Sequence, residues 1–509
     1  MMFSNVFIET LKSWEHDKVL LVENGKAITA GELLNSSISI ANELLKNGVK
    51  KGDRTVIILH PGSQFLIIMY ANMLLGTIIS IIDPEMGREN YNAKFKQFKP
   101  QHAFVDSRLA LINEHPVLRY LLQKLRPTLP FLPKAEGCKL FTLGRRLPIF
   151  KKHKHLKTHA FKTKLTPNFN DINPSEDFLV TYTSGTLNEP KGVVHTYESL
   201  GETMHLLTKM LNEGENDRIA THLPHFMLLG INAGKVVFIW NNELSPNEKL
   251  KFIKANSITT IFGPPSDFIP MINQLKSQSL KFPDCINQFY FGSAPVYQSF
   301  LQKIDDVCNS VKLTCLYGMT ENLMVCIQDG HEKINYKGIG DLVGRPFSGV
   351  TLSINLGGEV GIKSAQKFAR YWHEKYNHEV HLSGDLGELD KEGRLLLIGR
   401  KKDMLIRRNF NIYPGLYEPT INKIPGIVEA ALIGVYDKKT ADETVYLIVE
   451  SDNKINENDL KKLLLFGMYS IDKEAIPDKI IFQKLLRLGR QNKIDRKKIR
   501  IELEKEFHK

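Results

Sequence analysis

Residues 65–82 read FLIIMYANMLLGTIISII, an eighteen-residue stretch that is nearly all apolar. A run of this length is just sufficient to suggest a membrane span. Gln64, Asn72 and the following Asp83-Pro84-Glu85 argue against that reading, because polar and charged groups are costly in hydrocarbon. The segment must then be enclosed by protein. Strands of parallel α/β proteins lie between helix layers and are apolar on both faces. The run therefore predicts an interior element of a layered α/β fold.

The pattern around it agrees. Residues 35–45 carry apolar side chains at helical spacing, and 55–59 read as a strand after a turn at Gly52-Asp53. Residues 218–221 and 259–262 read as further strands, the latter stopped by Gly263-Pro264-Pro265. Between 107 and 173 the pattern weakens into Pro-rich and Lys/His-rich material, expected as an irregular, mobile excursion. Beyond Lys402 come a short basic segment, strands at 428–435 and 443–450, and a helix at 457–469. A chain of 509 residues exceeds one core. The expected division is a large N-terminal domain over 1–401 and a small α+β domain over 402–509.

A hydrophobic content of 42% with 24% charged residues describes a water-soluble globular chain. The formal charge of +12 suits anionic partners, yet no zinc-finger spacing or RNP signature is present, so nucleic acid is not expected. Anionic small substrates account for the charge equally well, and peripheral contact with an anionic membrane is the lesser alternative. Cys138, Cys285, Cys308, Cys315 and Cys326 are odd in number and lack metal-type spacing, which points to reduced thiols in the cytoplasm. The first residues place acids early and contain no apolar run with a cleavage site, so no signal peptide is expected.

The strongest chemical signal is TYTSGTLNEPKG at 181–192. The preceding residues 178–182 are β-branched and aromatic, and read as a strand entering a loop. Thr183, Ser184 and Thr186 surround Gly185, and Lys191 follows Pro190. A glycine lets backbone N–H groups turn toward an anion, the hydroxyls add donors and the lysine adds a cation. Such a loop suits phosphate, although the same residues are ordinary turn formers. The spacing is not that of a Walker A loop.

It resembles the phosphate-binding signature of the adenylate-forming superfamily, which includes acyl-CoA synthetases, aryl-CoA ligases, peptide-synthetase adenylation domains and firefly luciferase. Leu187 and Asn188 stand where Thr and Gly are usual. Further segments resemble the remaining family motifs in the same order. Phe291-Gly292-Ser293-Ala294-Pro295 is similar to the loop along the adenine. Tyr317-Gly318-Met319-Thr320-Glu321 matches Y-G-x-T-E. Ser383-Gly384-Asp385, Gly399-Arg400-Lys401-Lys402-Asp403 and Lys493-Ile494-Asp495-Arg496-Lys497 complete the series, with Asn492 in place of Gly. Singly, each reads equally well as a turn, a solvated face or, for Lys493, a cation in a basic C-terminal helix. Together they cover about residues 180–500.

The resemblance implies a fold and a set of roles. The large domain would be built of layered sheets and helices, with 65–82 as a buried helix, a turn at Gly76 and a buried strand. ATP would activate a carboxylic acid as acyl-AMP with release of pyrophosphate. The loop from Thr183 to Lys191 would hold the β- and γ-phosphates, Thr320 would lie near the α-phosphate and Glu321 would bind Mg²⁺. Tyr317 would stack on the base, with Gly318 allowing close approach. Asp385 and Arg400 would fix the ribose, and Lys493 would bridge the carboxylate and the α-phosphate. Lys402 matches the hinge about which the small domain turns between two poses. His225, Phe226, Met227 and Gly230, with Met319, would border the acyl pocket; Met227 replaces a usual His and suggests an apolar acid, or simply core packing. The acceptor would be the thiol of CoA. A carrier-protein phosphopantetheine, an internal 3-hydroxyl closing a β-lactone, and a non-catalytic nucleotide-binding relic are the alternatives.

Overall fold

The computed structural model describes residues 6–82, 88–125, 137–145, 153–158, 172–182, 190–211, 218–241, 244–375, 378–408, 410–437, 442–452, 455–488 and 493–507. Two large sheets organise the first four hundred residues. The eight-stranded sheet runs in the order Arg370–Tyr371, Gly192–Thr196, Asp177–Tyr182, Ile78–Ile81, Arg54–Ile58, His102–Asp106, Lys139–Leu143, Lys154–His155. Its first three strands pair antiparallel and all later pairs are parallel.

The thirteen-stranded sheet has a parallel centre: Lys312–Met319, Gln288–Phe291, Thr260–Gly263, Arg218–Thr221, Val236–Ile239 and Val19–Glu23. Beyond Lys312–Met319 it continues antiparallel through Asn322–Asp329, Asp341–Pro346, Leu395–Arg400 and His381–Leu389. Parallel strands end at one edge of a sheet, and ligands of open α/β sheets bind beyond those carboxyl ends. The segments after Phe291 and at Tyr317 emerge there side by side, because Phe291 pairs with Cys315.

One core joins both sheets through the helices between them. It includes Ile57, Phe104 and Phe178 from one sheet, Leu21, Ile219 and Val237 from the other, and most of helix Ser63–Leu75. That helix buries eleven consecutive residues from Phe65 to Leu75, as the apolar run requires. Gly76 ends it in the left-handed conformation at φ 65°, and strand Ile78–Ile81 follows. Asn72 is satisfied inside this apolar layer: its amide donates to Ile68 O at 2.8 Å, and its carbonyl accepts from Thr77 Oγ1 at 2.7 Å. Among the described residues no helix is long and apolar enough to cross a membrane.

The stretch 107–173 departs from the expectation of an irregular excursion. Its described part holds helices Ser107–Glu114 and Pro116–Leu125 and strands Lys139–Leu143 and Lys154–His155. Parallel pairing onto His102–Asp106 supplies the order that local composition conceals.

Residues from Leu405 onward build their own cores. Strands Ile427–Asp437, Asp442–Ser451 and Lys479–Phe482 form a three-stranded sheet. Helices Pro414–Ile421 and Glu457–Leu465 cover one face and helix Arg496–Phe507 the other. The helix expected over 457–469 stops at Leu465, because Phe466 turns extended and Gly467 sits at φ 91°. Arg496 ties these parts together: Nη2 meets Glu418 Oε2 at 2.5 Å, and Nη1 donates to Leu432 O at 3.0 Å. Lys493 lies on a short hairpin strand, Lys493–Ile494 paired with Arg487–Leu488, rather than in the terminal helix.

Candidate functional site

Thr183, Ser184, Gly185 and Thr186 lie outside the described residues; Lys191, at the end of their loop, is described and exposed. The strand after it, Gly192–Thr196, pairs with the two-residue strand Arg370–Tyr371. That short strand is anchored by a bidentate ion pair, Arg370 Nη1 and Nη2 to Asp177 Oδ1 and Oδ2, both at 2.6 Å. It thereby presents Tyr371 between two predicted site residues. The Tyr371 hydroxyl donates to Glu321 Oε1 at 3.1 Å, and Lys191 Nζ stands 5.2 Å from the Tyr371 ring centroid. Burial, then the adjacent Glu321, raises the Tyr371 pKa, so the phenol stays protonated.

A buried histidine supports the neighbouring turn. His195 Nε2 donates to the Thr320 carbonyl oxygen at 2.8 Å, and the residue is 1% exposed. Burial lowers its pKa to about 4, with the Thr320 contact opposing. The ring is therefore neutral, with its proton on Nε2, since a carbonyl can only accept. Gly318 has a steric reason: a Cβ there would lie 2.0 Å from Leu323 O.

Asp385 joins the two halves of the cleft. Strands His381–Leu389 and Leu395–Arg400 pair with Asp385 opposite Arg400. Asp385 Oδ1 meets Arg400 Nε at 2.6 Å, and Oδ2 accepts from the Tyr317 hydroxyl at 2.5 Å. Asp385 is 2% exposed, so its charge requires both partners. Burial works against the Arg400 charge, but Asp385, Tyr317 and Asp403 outweigh it and raise the pKa. Gly384, at φ 74°, donates its N–H to Glu359 Oε1 at 3.0 Å, and Lys401 pairs with Glu359 Oε2 at 3.2 Å.

Lys493, from the far end of the chain, is exposed, yet it feels this group: partial loss of hydration lowers its pKa to about 8, the positive charges of Arg400 and Lys402 contribute, and Asp385 opposes them. Lys402, the expected hinge, is exposed in the single turn Lys401–Asp403, and Asp403 Oδ2 lies 3.8 Å from Arg496 Nε. Thus Tyr317, Asp385 and Arg400 form one bonded constellation, and the charges of Asp385, Arg400 and Lys402 are felt at Lys493. Lys191, Thr320 and Glu321 are tied to it through the Tyr317–Glu321 turn.

The loop Gly292-Ser293-Ala294-Pro295 borders the same edge. Ser293 takes a left-handed φ of 65°, unusual for a residue with a side chain. A Cβ on Gly292 would touch Leu316 at ordinary van der Waals distance, so the loop packs beside Tyr317. The residues expected at the acyl pocket divide. Met227 is fully buried in the central core, and Gly230 lets helix Pro224–Asn232 approach Val237, whose Cγ2 a Cβ would meet at 2.4 Å. His225 is half-buried, with a pKa lowered by burial to about 4. Its ring begins a ladder: His225 to Phe226 at 4.4 Å, Phe226 to Phe262 at 4.1 Å and Phe262 to Tyr290 at 4.4 Å. Met319 is half-buried at the strand end.

Tyr371, His195 and the Asp177–Arg370 pair are not signalled as site residues by the sequence. Only the aromatic pair Tyr371-Trp372 upstream of Ser383-Gly384-Asp385 offered a signal. Among the described residues no group of three or more His, Cys, Asp or Glu could hold a metal by itself. One carboxylate, Glu321, fits a small divalent cation that takes its other ligands from phosphates and water.

Residues 8–372 match the family model described as AMP-binding enzyme. The long-chain-fatty-acid–CoA ligase of Bacillus subtilis is 26% identical over 532 residues, covering 97% of this chain and 93% of that protein. The long-chain-fatty-acid–CoA ligase FadD13 of Mycobacterium tuberculosis is 25% identical, covering 61% of this chain and 64% of that protein. Two solved structures share the fold. ATP-bound MatB from Rhodopseudomonas palustris superposes with a TM-score of 0.79 at 20% identity, covering 99% of this chain and 100% of that one. The amide bond synthetase McbA from Marinactinospora thermotolerans gives 0.79 at 16%, covering 98% and 99%.

Proposed function

The chain belongs to the AMP-binding enzymes, and from that premise we propose that it couples ATP to the activation of a carboxylic acid and passes the acyl group to the thiol of CoA. A carboxylate oxygen bonds to the α-phosphorus while the bond to pyrophosphate breaks, giving acyl-AMP. The thiol sulfur then takes the acyl carbon and AMP leaves. In the first step charge spreads over phosphate oxygens, so positioning and electrostatics carry catalysis. The observation that carries this reading is the buried Asp385, shared between Arg400 Nε at 2.6 Å and the Tyr317 hydroxyl at 2.5 Å, which brings three of the matched segments together. To Lys493 we assign the cation that attack on phosphorus needs.

Lys191 and the loop before it take the β- and γ-phosphates. Glu321, oriented by Tyr371, would hold Mg²⁺, which would neutralise phosphate charge. Thr320, held through its carbonyl by His195, lies at the α-phosphate. Tyr317 and residues 292–295 flank the base, and Asp385 with Arg400 orients the ribose. We place the domain division at Lys402, with the separate cores beyond Leu405 in support. An apolar, fatty acid is the substrate class favoured by the ring ladder beside His225 and by the fatty-acid ligases among the relatives. The cytoplasm is the compartment that five free cysteines suit.

ATP–pyrophosphate exchange across a carboxylic-acid panel tests the activity, and product analysis with CoA identifies the acceptor. Lys493→Ala should abolish exchange yet leave thioester formation from supplied acyl-AMP nearly intact. Equal loss of both half-reactions would refute the two-pose assignment.

A further inference from the structure

The excess charge of this chain is not spread over it. Residues 107–164 contain fourteen Lys and Arg against two acids, Glu114 and Glu136. That net of +12 equals the formal charge of all 509 residues, so the remainder of the chain is balanced. The described part of this segment lies away from the cleft. Its strands Lys139–Leu143 and Lys154–His155 form one edge of the eight-stranded sheet, and the cleft strand Arg370–Tyr371 forms the other. Seven strand spacings separate them, about 34 Å.

The same edge carries an apolar face. Helix Pro116–Leu125 has an amphipathic sequence, PVLRYLLQKL, yet none of its described side chains is buried. Val117, Tyr120 and Leu121 stand three and four residues apart on one face and are 62%, 57% and 52% exposed. Lys124 continues that face, with Nζ 4.8 Å from the Tyr120 ring centroid. Among the described residues nothing covers this apolar stripe, which is unusual in a protein with large cores elsewhere. On its side Arg108, paired with Asp106, is exposed, as are Arg145 and Lys157, whereas Lys154 is turned to Glu43. Glu114, the one acid of the segment among the described residues, is engaged by His153.

We propose that this edge docks on the surface of an anionic lipid bilayer, with Val117, Tyr120 and Leu121 entering the headgroup boundary and the surrounding Lys and Arg meeting lipid phosphates. An apolar stripe bordered by cations is the chemistry of interfacial helices. A nucleic acid would use the cations and leave the apolar stripe in water. Docking here leaves the cleft strand Arg370–Tyr371 free, since it forms the opposite edge of the sheet. The inference stands apart from the acid-activating reading, because vesicle binding is measured without ATP.

The test is co-sedimentation of the full chain with phosphatidylcholine vesicles, with and without 30% phosphatidylserine, at low and high salt. Binding to the anionic vesicles at low salt, with weakening at high salt and little binding to neutral vesicles, is expected. The triple variant Val117→Ser, Tyr120→Ser, Leu121→Ser should reduce partition by about tenfold while keeping the melting temperature and ATP–pyrophosphate exchange of the parent. A second variant, Arg108→Glu with Lys157→Glu, should reduce it without altering the helix. Absence of binding to anionic vesicles, equal partition of parent and triple variant, or displacement of the vesicles by a short RNA duplex at equal charge would overturn the proposal.

Discussion

Proton loss from Lys493 offers the most direct test of the cleft. Its pKa is lowered to about 8, by partial loss of hydration first and by Arg400 and Lys402 next. A lysine whose pKa is depressed is charged below that value and neutral above it. About nine tenths of the free enzyme carries the cation at pH 7 and about one tenth at pH 9. If the cation stabilises the phosphate charge of the first step, kcat/KM for exchange should fall about tenfold between those values, because kcat/KM reports the free enzyme. Bound ATP brings negative charge to the amine and raises its pKa, so the fall in kcat should occur at higher pH. Asp385 opposes the depression, so Asp385→Asn should move the kcat/KM inflection to lower pH, beneath a large loss of rate. Lys493→Arg should be slow but flat over the same range, since guanidinium does not titrate there. The assay is ATP–pyrophosphate exchange at fixed ionic strength from pH 6 to 10. A parent profile without a fall by pH 10, or the same fall in Lys493→Arg, would remove Lys493 from the first step.

Other residues make separate claims. Tyr371→Phe removes the hydrogen bond to Glu321 Oε1, and should raise the Mg²⁺ concentration needed for half-maximal ATP binding by about fivefold, the equivalent of roughly 1 kcal/mol; calorimetric titration of ATP at several Mg²⁺ levels measures it. Gly318→Ala places a methyl 2.0 Å from a backbone carbonyl, so the strand end must move and the protein should lose at least about 1–3 kcal/mol, read from the melting temperature together with exchange. Glu418→Ala leaves Arg496 without its closest partner and should cost about 3 kcal/mol of tail-domain stability; limited proteolysis should cut residues beyond 402 sooner than in the parent.

Much of the fold was legible because local rules sufficed. The apolar run 65–82 had to be interior, since burial is written in side-chain type, and the strands read at 218–221 and 259–262 follow the same logic. The turn at Gly76 was implied by the resemblance, and the structure ends the helix there. Helix Pro116–Leu125 and strand Lys139–Leu143 were obscured, because prolines and cations dominate their neighbourhood while their order comes from the sheet. Tyr371 escaped notice for a related reason. Its strand is two residues long and exists through pairing to Gly192–Thr196 and an ion pair to Asp177, 193 positions away.

The linear chain determined which chemical groups were available, in what order, and which segments had to be enclosed. Those properties depend on side-chain type and on neighbours within a few residues. Tertiary structure alone decided that Tyr317 would share Asp385 with Arg400, that the charges of this pair would reach Lys493, and that strand Lys154–His155 would lie at the sheet edge opposite Arg370–Tyr371. Contacts between distant positions depend on how sheets and domains pack, and packing free energy is summed over whole surfaces rather than held by any short motif.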